Sequence, residues 1–366
     1  MRIALLTSSR ADYGIYLPLM RALHNDPACD LRIIAFGTHL SSFHGHTIDQ
    51  IKADGFHIDY EVENILASDS ELSVASSMAL TLMRFAEIWS REKNNYDLVL
   101  CLGDRYEMFS AVSASVPFGL KIAHIHGGET TLGAIDNSFR HCLSIFSDMH
   151  FVSAAIYAQR VEEIRGNNEN IHVVGSLSLD NLNHLQLYSS REFKEQYDID
   201  LTKETILVTY HPETVKAELN TNRAQTLIKA LGQFAGYQII ITMPNADTSG
   251  NSMRKVYLEF ASDNPNIKIV ENFGTRGYFS CMKLCNLVVG NSSSGIIEAA
   301  SFKKHVVNIG DRQKGRAVSD NVINADNEER SIVEAINKGL SLGDYNGENV
   351  YYNGGAVEKI TKILLS

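Results

Sequence analysis

Short aliphatic and β-branched runs alternate along this chain with longer amphipathic stretches, and that alternation restricts the fold more than any single motif. It is the pattern of βαβ units, in which strands pair in parallel and helices make the crossovers. In the first half the strand-like runs are residues 2–7, 31–36, 98–102, 121–126, 150–152 and 171–174. Helical spacing of apolar residues fills 16–25, 71–93, 105–115, 138–147 and 154–165 between them. A polar stretch, 189–204, reads as a linker, and a second series follows it. Its strands are 206–210, 238–242, 267–270, 287–290 and 305–309, and its helices are 222–234, 253–261, 278–285 and 294–301. The expectation is an α/β protein of two doubly wound units, residues 1–177 and 178–350. A last helix within 351–366 is too short to stand alone and is expected to pack back on the first unit. Ligands of such sheets bind outside the carboxyl ends of the strands, and two such units are expected to face a central cleft.

Composition narrows the class of partner. The 366 residues are 44% apolar and 21% charged, which suits a globular chain with a sizeable core. Thirty-three basic against 43 acidic side chains give a net charge of −10, which disfavours nucleic acid and anionic membrane as main partners. No apolar run approaches the length of a membrane span, the chain opens on a strand-like run instead of a signal peptide, and a cytoplasmic location is expected. The five cysteines, Cys29, Cys101, Cys142, Cys281 and Cys285, read as reduced thiols. Cys281 and Cys285 could share a helix face as metal ligands, but small buried hydrophobes account for them better. No metal and no cofactor are expected.

Motifs that directly follow a strand lie where such sheets bind their ligands. The first strand runs into Thr7-Ser8-Ser9-Arg10-Ala11-Asp12-Tyr13-Gly14, where Arg10 and backbone donors suit a phosphate. An ordinary turn with Arg10 and Asp12 paired is the alternative. Leu102-Gly103-Asp104-Arg105 offers a carboxylate and a guanidinium, although an aspartate there is also a normal N-cap. His124-Ile125-His126-Gly127-Gly128-Glu129 follows, and strand alternation would put both histidines on one face, as core or second-layer groups in preference to metal ligands. Asp136 lies seven residues beyond Glu129, ahead of Arg140 and His141. Asp104, Glu129 and Asp136 thus gather on neighbouring strand ends, as proton transfer at carbon and a developing sugar cation require. Three solvated loop acids are the alternative.

The second series has another character. His211 follows a strand and is fixed by Pro212. Gly290-Asn291-Ser292-Ser293-Ser294-Gly295 ends a strand and opens a helix, a setting for an anion, with an N-cap serine cluster as the alternative. Glu298, one turn on, could accept bonds from a ribose. Asp311-Arg312-Gln313-Lys314-Gly315-Arg316 is a basic strip suited to a diphosphate. Asn245, in the turn after residues 238–242, lines the cleft in this reading, although a capped turn explains it equally well. Asp198 and Asp200 match the D-x-D of some metal-dependent sugar-nucleotide enzymes but lie in the linker, and no role is assigned to them.

Taken in order, Ser9-Arg10-Ala11-Asp12-Tyr13, Gly103-Asp104-Arg105, His126-Gly127-Gly128-Glu129, Arg140-His141, His211-Pro212, Gly290 to Gly295 and Gly310 to Arg316 resemble the hydrolysing branch of the UDP-N-acetylglucosamine 2-epimerase family. The resemblance spans nearly the whole chain. It implies two Rossmann-like domains of the glycosyltransferase-B-like plan and a metal-free elimination of UDP across C1 and C2 of the sugar. Water then adds to the resulting 2-acetamidoglucal, releasing N-acetylmannosamine for synthesis of sialic-type nine-carbon sugars. By matching position, Asp104, Glu129 and Asp136 would handle the C2 proton and the cationic transition state. Arg10, Arg105, His211, Ser292, Ser293 and Arg312 would hold the diphosphate and Glu298 the ribose, with Asn245 and Arg316 also assigned to the nucleotide. Many members carry a lysine five residues after the first-turn arginine; here Ile15 stands there, so Arg312 or Arg316 would meet any such need. A 2,4-diacetamido-trideoxy sugar nucleotide of the legionaminic acid pathway is an alternative substrate. A glycosyltransferase of the same plan and a non-catalytic sugar-nucleotide sensor are the competing classes. The family's habit implies a homodimer or homotetramer.

Overall fold

The computed structural model describes residues 1–366 apart from 43, 44, 67, 69, 133, 134, 214–216 and 244–249, and apart from the side chains of 181, 183, 184, 250 and 251. The chain divides into two compact units. Unit 1 comprises Met1–Glu129, Ile135–Asn183 and Tyr351–Ser366, and unit 2 comprises Thr130–Ala134 and His184–Val350.

Unit 1 is built on β1 (Arg2–Thr7), β2 (Asp30–Phe36), β3 (Tyr60–Val62), β4 (Leu98–Leu102), β5 (Ile122–Ile125), β6 (Met149–Val152) and β7 (Ile171–Val173). Among the described residues these form one sheet in the order β3-β2-β1-β4-β5-β6-β7, with every neighbouring pair parallel. Alternation along the strands divides the core in two. Ile3, Leu5, Ile33, Leu98 and Leu100 meet Leu19, Met20 and Leu23 of the helix Arg10–Asn25 on one face. Ala4, Leu6, Ile34, Val99 and Cys101 meet Phe85 and Trp89 of the helix Glu71–Glu92 on the other. Both faces are covered, which is why the strands read as continuous apolar runs; each buried large side chain contributes about 1.5–3 kcal/mol. The terminal helix Ala356–Leu365 adds Ile360 and Leu364 to the first of these clusters.

Unit 2 repeats the plan with β8 (Thr205–Thr209), β9 (Gln238–Thr242), β10 (Ile267–Val270), β11 (Leu287–Gly290), β12 (Val306–Ile309) and β13 (Val322–Ala325). Their order is β10-β9-β8-β11-β12-β13, again parallel throughout. The stretch read as a linker contains the helix Ser190–Tyr197, capped by Ser189 and Glu192. Its Phe193 is wholly buried in a cluster with Cys281, Met282 and Cys285. The two cysteines are therefore core residues, and burial pushes the Cys285 thiol up to about 12.

In both sheets the strand order reverses beside the first strand of the unit, between β1 and β4 and between β8 and β11. The loops leaving those strands diverge there and open a crevice at the carboxyl edge. The α/β class and the tandem doubly wound sheets expected from the sequence are what the structure has.

Candidate active site

In unit 1 the loop after β1 is organised by Asp12. Its carboxylate accepts from the Thr7 hydroxyl at 2.5 Å, from the Ser8 N–H and hydroxyl at 2.8 Å each, and from the Ser9 N–H at 3.1 Å. Ser9 in turn caps the helix Arg10–Asn25. The alternative in which Arg10 pairs with Asp12 is not the one adopted: the buried aspartate is used by the turn, and Arg10 is exposed at the first helical position.

The loop after β4 overturns another local expectation. Arg105, not Asp104, stands at the N-cap position of the helix Tyr106–Ser113, and it makes no side-chain cap. The Asp104 carboxylate instead forms an ion pair with Arg140, whose side chain is buried. The same guanidinium donates to the Glu129 main-chain carbonyl at 2.7 Å. The Glu129 carboxylate is oriented separately, accepting from the Ser153 hydroxyl just past β6 at 2.8 Å. Asp136 opens the helix Asp136–Phe146 that carries Arg140 one turn later. One buried cation therefore ties the strand-end loops of Asp104 and Glu129 to the helix of Asp136. Arg105 is paired in bidentate fashion with buried Glu107, at 3.0 and 3.2 Å. Glu107 and, less strongly, Asp136 hold its guanidinium protonated.

The two histidines of this region do not share a strand face. β5 ends at Ile125, and His126 turns into the left-handed region at φ 64°, its ring accepting from the Leu177 N–H at 3.4 Å. His124 remains in the strand, fully buried.

In unit 2 the loops after β8 and β11 are locked together. The His211 N–H donates to the Asn291 side chain at 2.7 Å, and the Asn291 amide donates to the His211 carbonyl at 2.9 Å. Arg312 and Gln313, past β12, both donate to the Asn291 main-chain carbonyl, at 3.0 and 2.9 Å. Burial and the Arg312 charge lower the His211 pKa to about 4, so its ring is neutral at neutral pH. Gly290 makes the approach of the two loops possible. Its φ is 139°, and a Cβ there would come against the Thr209 carbonyl.

The serine run is partly consumed by the fold. Thr242, Thr209, Tyr278, Ser294 and Ser292 form a chain of hydroxyls with separations of 2.8, 3.1, 2.7 and 2.9 Å. Ser292 also caps the short helix Ser293–Ile297. Ser293 makes no side-chain hydrogen bond of its own among the described residues, and it stands at the first position of that helix. Glu298 lies at the C-cap of this helix, not within it, and its carboxylate is buried. Arg316 is partly buried in the loop after β12, and Asn245 lies outside the described residues. Asp198 and Asp200 have structural duties: Asp198 is a left-handed C-cap, and Asp200 holds Thr202 and Lys194.

At its own strand ends unit 1 thus carries fixed carboxylates, and unit 2 a neutral imidazole, guanidinium groups and a helix-capping serine. Arg140, Ser153, Gln313 and Tyr278 received no role from the sequence, and His124 was read only as a core or second-layer group. The signal for Arg140 was its spacing of four from Asp136, and for Ser153 its place directly after a strand.

Residues 21–365 match the family model described as UDP-N-acetylglucosamine 2-epimerase. Over 363 residues, 99% of this chain and 95% of the relative, the sequence is 34% identical to the UDP-N,N'-diacetylbacillosamine 2-epimerase (hydrolyzing) of Legionella pneumophila. Over 326 residues, 89% of this chain and 84% of the relative, it is 34% identical to the GDP/UDP-N,N'-diacetylbacillosamine 2-epimerase (hydrolyzing) of Campylobacter jejuni. In fold it is similar to the UDP-GlcNAc 2-epimerase of Neisseria meningitidis solved with UDP-GlcNAc, with a TM-score of 0.82, 17% identity and full coverage of both chains. With its paired doubly wound sheets and its ordered motifs, the chain belongs to the UDP-N-acetylglucosamine 2-epimerase family, in the hydrolysing branch.

Proposed function

We propose that this hydrolysing 2-epimerase takes UDP-N-acetylglucosamine and water to N-acetylmannosamine and UDP, supplying a precursor for sialic-type nine-carbon sugars. The observation that supports the assignment of residues is the carboxylate frame of unit 1, in which Arg140 holds both Asp104 and the Glu129 main chain. The C2 proton of the sugar is weakly acidic, so its removal needs a carboxylate fixed in place beforehand. As a carboxylate takes that proton, the C–H electrons form the C1–C2 double bond. The C1–O bond breaks, and UDP leaves with the electron pair. Water then adds its oxygen to C1 while C2 is protonated from the opposite face, which inverts C2. Asp104, Glu129 and Asp136 are assigned to these proton transfers and to the positive charge that develops at C1.

Arg10, Arg105, His211, Ser292, Ser293, Arg312 and Arg316 are assigned to the diphosphate, and Glu298 to the ribose. A neutral His211 at neutral pH can donate to phosphate oxygen without adding a second buried cation beside Arg312. The same reading has the protein working in the cytoplasm as a homodimer or homotetramer, which light scattering measures directly.

A second substrate is favoured by a specific observation: both relatives at 34% identity are named for N,N'-diacetylbacillosamine nucleotides. UDP-N-acetylglucosamine and the UDP- and GDP-linked 2,4-diacetamido sugars are therefore assayed side by side in deuterated water. Release of UDP with deuterium at C2 of free N-acetylmannosamine is the expected result. Turnover of a diacetamido nucleotide alone replaces the first substrate by the second. Turnover that needs a sugar acceptor and leaves C2 without deuterium overturns both in favour of glycosyl transfer.

A further inference from the structure

His124 has no part in the reaction as assigned, yet it lies beneath both turns that present the unit 1 carboxylates. Its side chain is fully buried in β5. The Nε2–H donates to the Gly103 carbonyl at 2.8 Å. Gly103 is in the left-handed region at φ 82°, and its own N–H donates to the Ile125 carbonyl at 3.1 Å. Both polar groups of this glycine are thus held, and the peptide that leads into Asp104 has its orientation fixed from below.

The other side of the ring meets the second turn. Nδ1 lies 3.3 Å from the Ser144 hydroxyl, which is also 3.1 Å from the Arg140 carbonyl one turn earlier on the same helix. Gly127, two residues before Glu129, packs directly on this contact. A Cβ at Gly127 would come within 2.9 Å of Nδ1 and 3.0 Å of the Ser144 oxygen, so the Glu129 turn can close only over a bare backbone. Burial lowers the ring's pKa to about 4. The ring is then neutral, with one nitrogen donating to Gly103 and the other open to Ser144.

We infer that His124 is a positioning residue, whose ring sets the Asp104 and Glu129 turns at the separation the reaction needs. The inference rests on the assignment of Asp104 and Glu129 to proton transfer. It goes beyond that assignment because in the described contacts His124 touches neither carboxylate and bears instead on the Gly103 carbonyl, the Gly127 backbone and the Ser144 hydroxyl.

The test is a mutant cycle on the full chain with UDP-N-acetylglucosamine, or with whichever sugar nucleotide the side-by-side assay selects. His124→Met keeps volume and removes the donor; kcat is expected to fall about 10- to 100-fold with KM and UDP affinity within about threefold. His124→Gln, which restores an N–H near Nε2, is expected to recover most of that loss. If the ring acts through Asp104, the double variant with Asp104→Asn turns over within about twofold of Asp104→Asn alone. Multiplying losses in the double variant, or wild-type kcat in folded His124→Met, overturn the inference and leave the catalytic assignment standing. Near-normal turnover of Asp104→Asn overturns the assignment itself and the inference with it. Should His124→Met fail to fold by circular dichroism, Ser144→Ala enters the same cycle. A lowered kcat that vanishes in the Asp104→Asn background supports the inference, and an unchanged or multiplying one sinks it.

Discussion

Asn291 and His211 hold each other by two reciprocal bonds, 2.7 Å from the His211 N–H to the Asn291 side chain and 2.9 Å from the Asn291 amide to the His211 carbonyl. Because the Asn291 carbonyl also accepts from Arg312 and Gln313, one wholly buried asparagine joins the loops after β8, β11 and β12. The loops that carry His211, Ser292 and Arg312, the residues proposed for the nucleotide, are thereby joined through one residue.

Replacing Asn291 by Ala removes the partners of the partly buried N–H and C=O of His211, at a cost of about 1–3 kcal/mol. Asn291→Asp keeps the acceptor and loses the donor, so it should fall between Ala and wild type. Thermal unfolding gives the order directly, and a wild-type melting temperature for the alanine variant would refute the account.

Binding and turnover should separate between the units. Arg312→Ala removes a cation from the loop that donates to Asn291, and UDP affinity measured by calorimetry should drop about 10- to 100-fold. Asp104→Asn should keep UDP affinity and lower kcat by about 100-fold or more. Near-normal turnover in the asparagine variant would remove Asp104 from the catalytic set.

Buried neutral histidines make the protein sensitive to acid. Burial lowers His124 to about 4, His150 to about 3 and His211 to about 4, each from 6.5. Between those values and 6.5 the unfolded chain binds protons that the folded chain does not. Stability is therefore fully present above about 6.5 and is lost as the pH falls toward 4, with a slope approaching about 1.4 kcal/mol per pH unit for each group. His150→Leu should flatten this decline in denaturant titrations between pH 7 and 4.5. An unchanged slope would show that His150 is not among its causes.

Gly290→Ala places a methyl group against the Thr209 carbonyl at a φ of 139°, a conformation that side chains rarely adopt. The variant is expected in the insoluble fraction on expression, and a soluble protein with native circular dichroism would contradict the geometry.

How much of this could be read from the sequence depended on the range of the cause. Strands such as β4, β9 and β11 were legible to the residue because both faces are buried, and a run of Leu, Val and Ile states that directly. The edge strands β3 and β13 were not, although the edge strands β7 and β10 were. β3 has three residues with Val62 alone buried, and β13 only one, Ala325. The helix Ser190–Tyr197 was hidden in a polar stretch because its anchor is essentially Phe193, whose importance comes from partners such as Phe273, 80 residues away. The strand-end positions of the candidate residues were legible because a polar turn directly after an apolar run is a local signal. Local propensity was overridden twice: a distant Arg140 took Asp104 from the N-cap, and a left-handed turn at His126 took that residue off the face of His124.

The return of Tyr351–Ser366 to unit 1 bears on how the protein is made. A ribosome releases the first 183 residues, then His184–Val350 of unit 2, before it delivers Ile360 and Leu364 to the surface formed by Leu19 and Leu23. The half begun first is thus completed after the other, and until the terminal helix emerges it presents an unfinished apolar face to the cell's chaperones while the later half can already be closed.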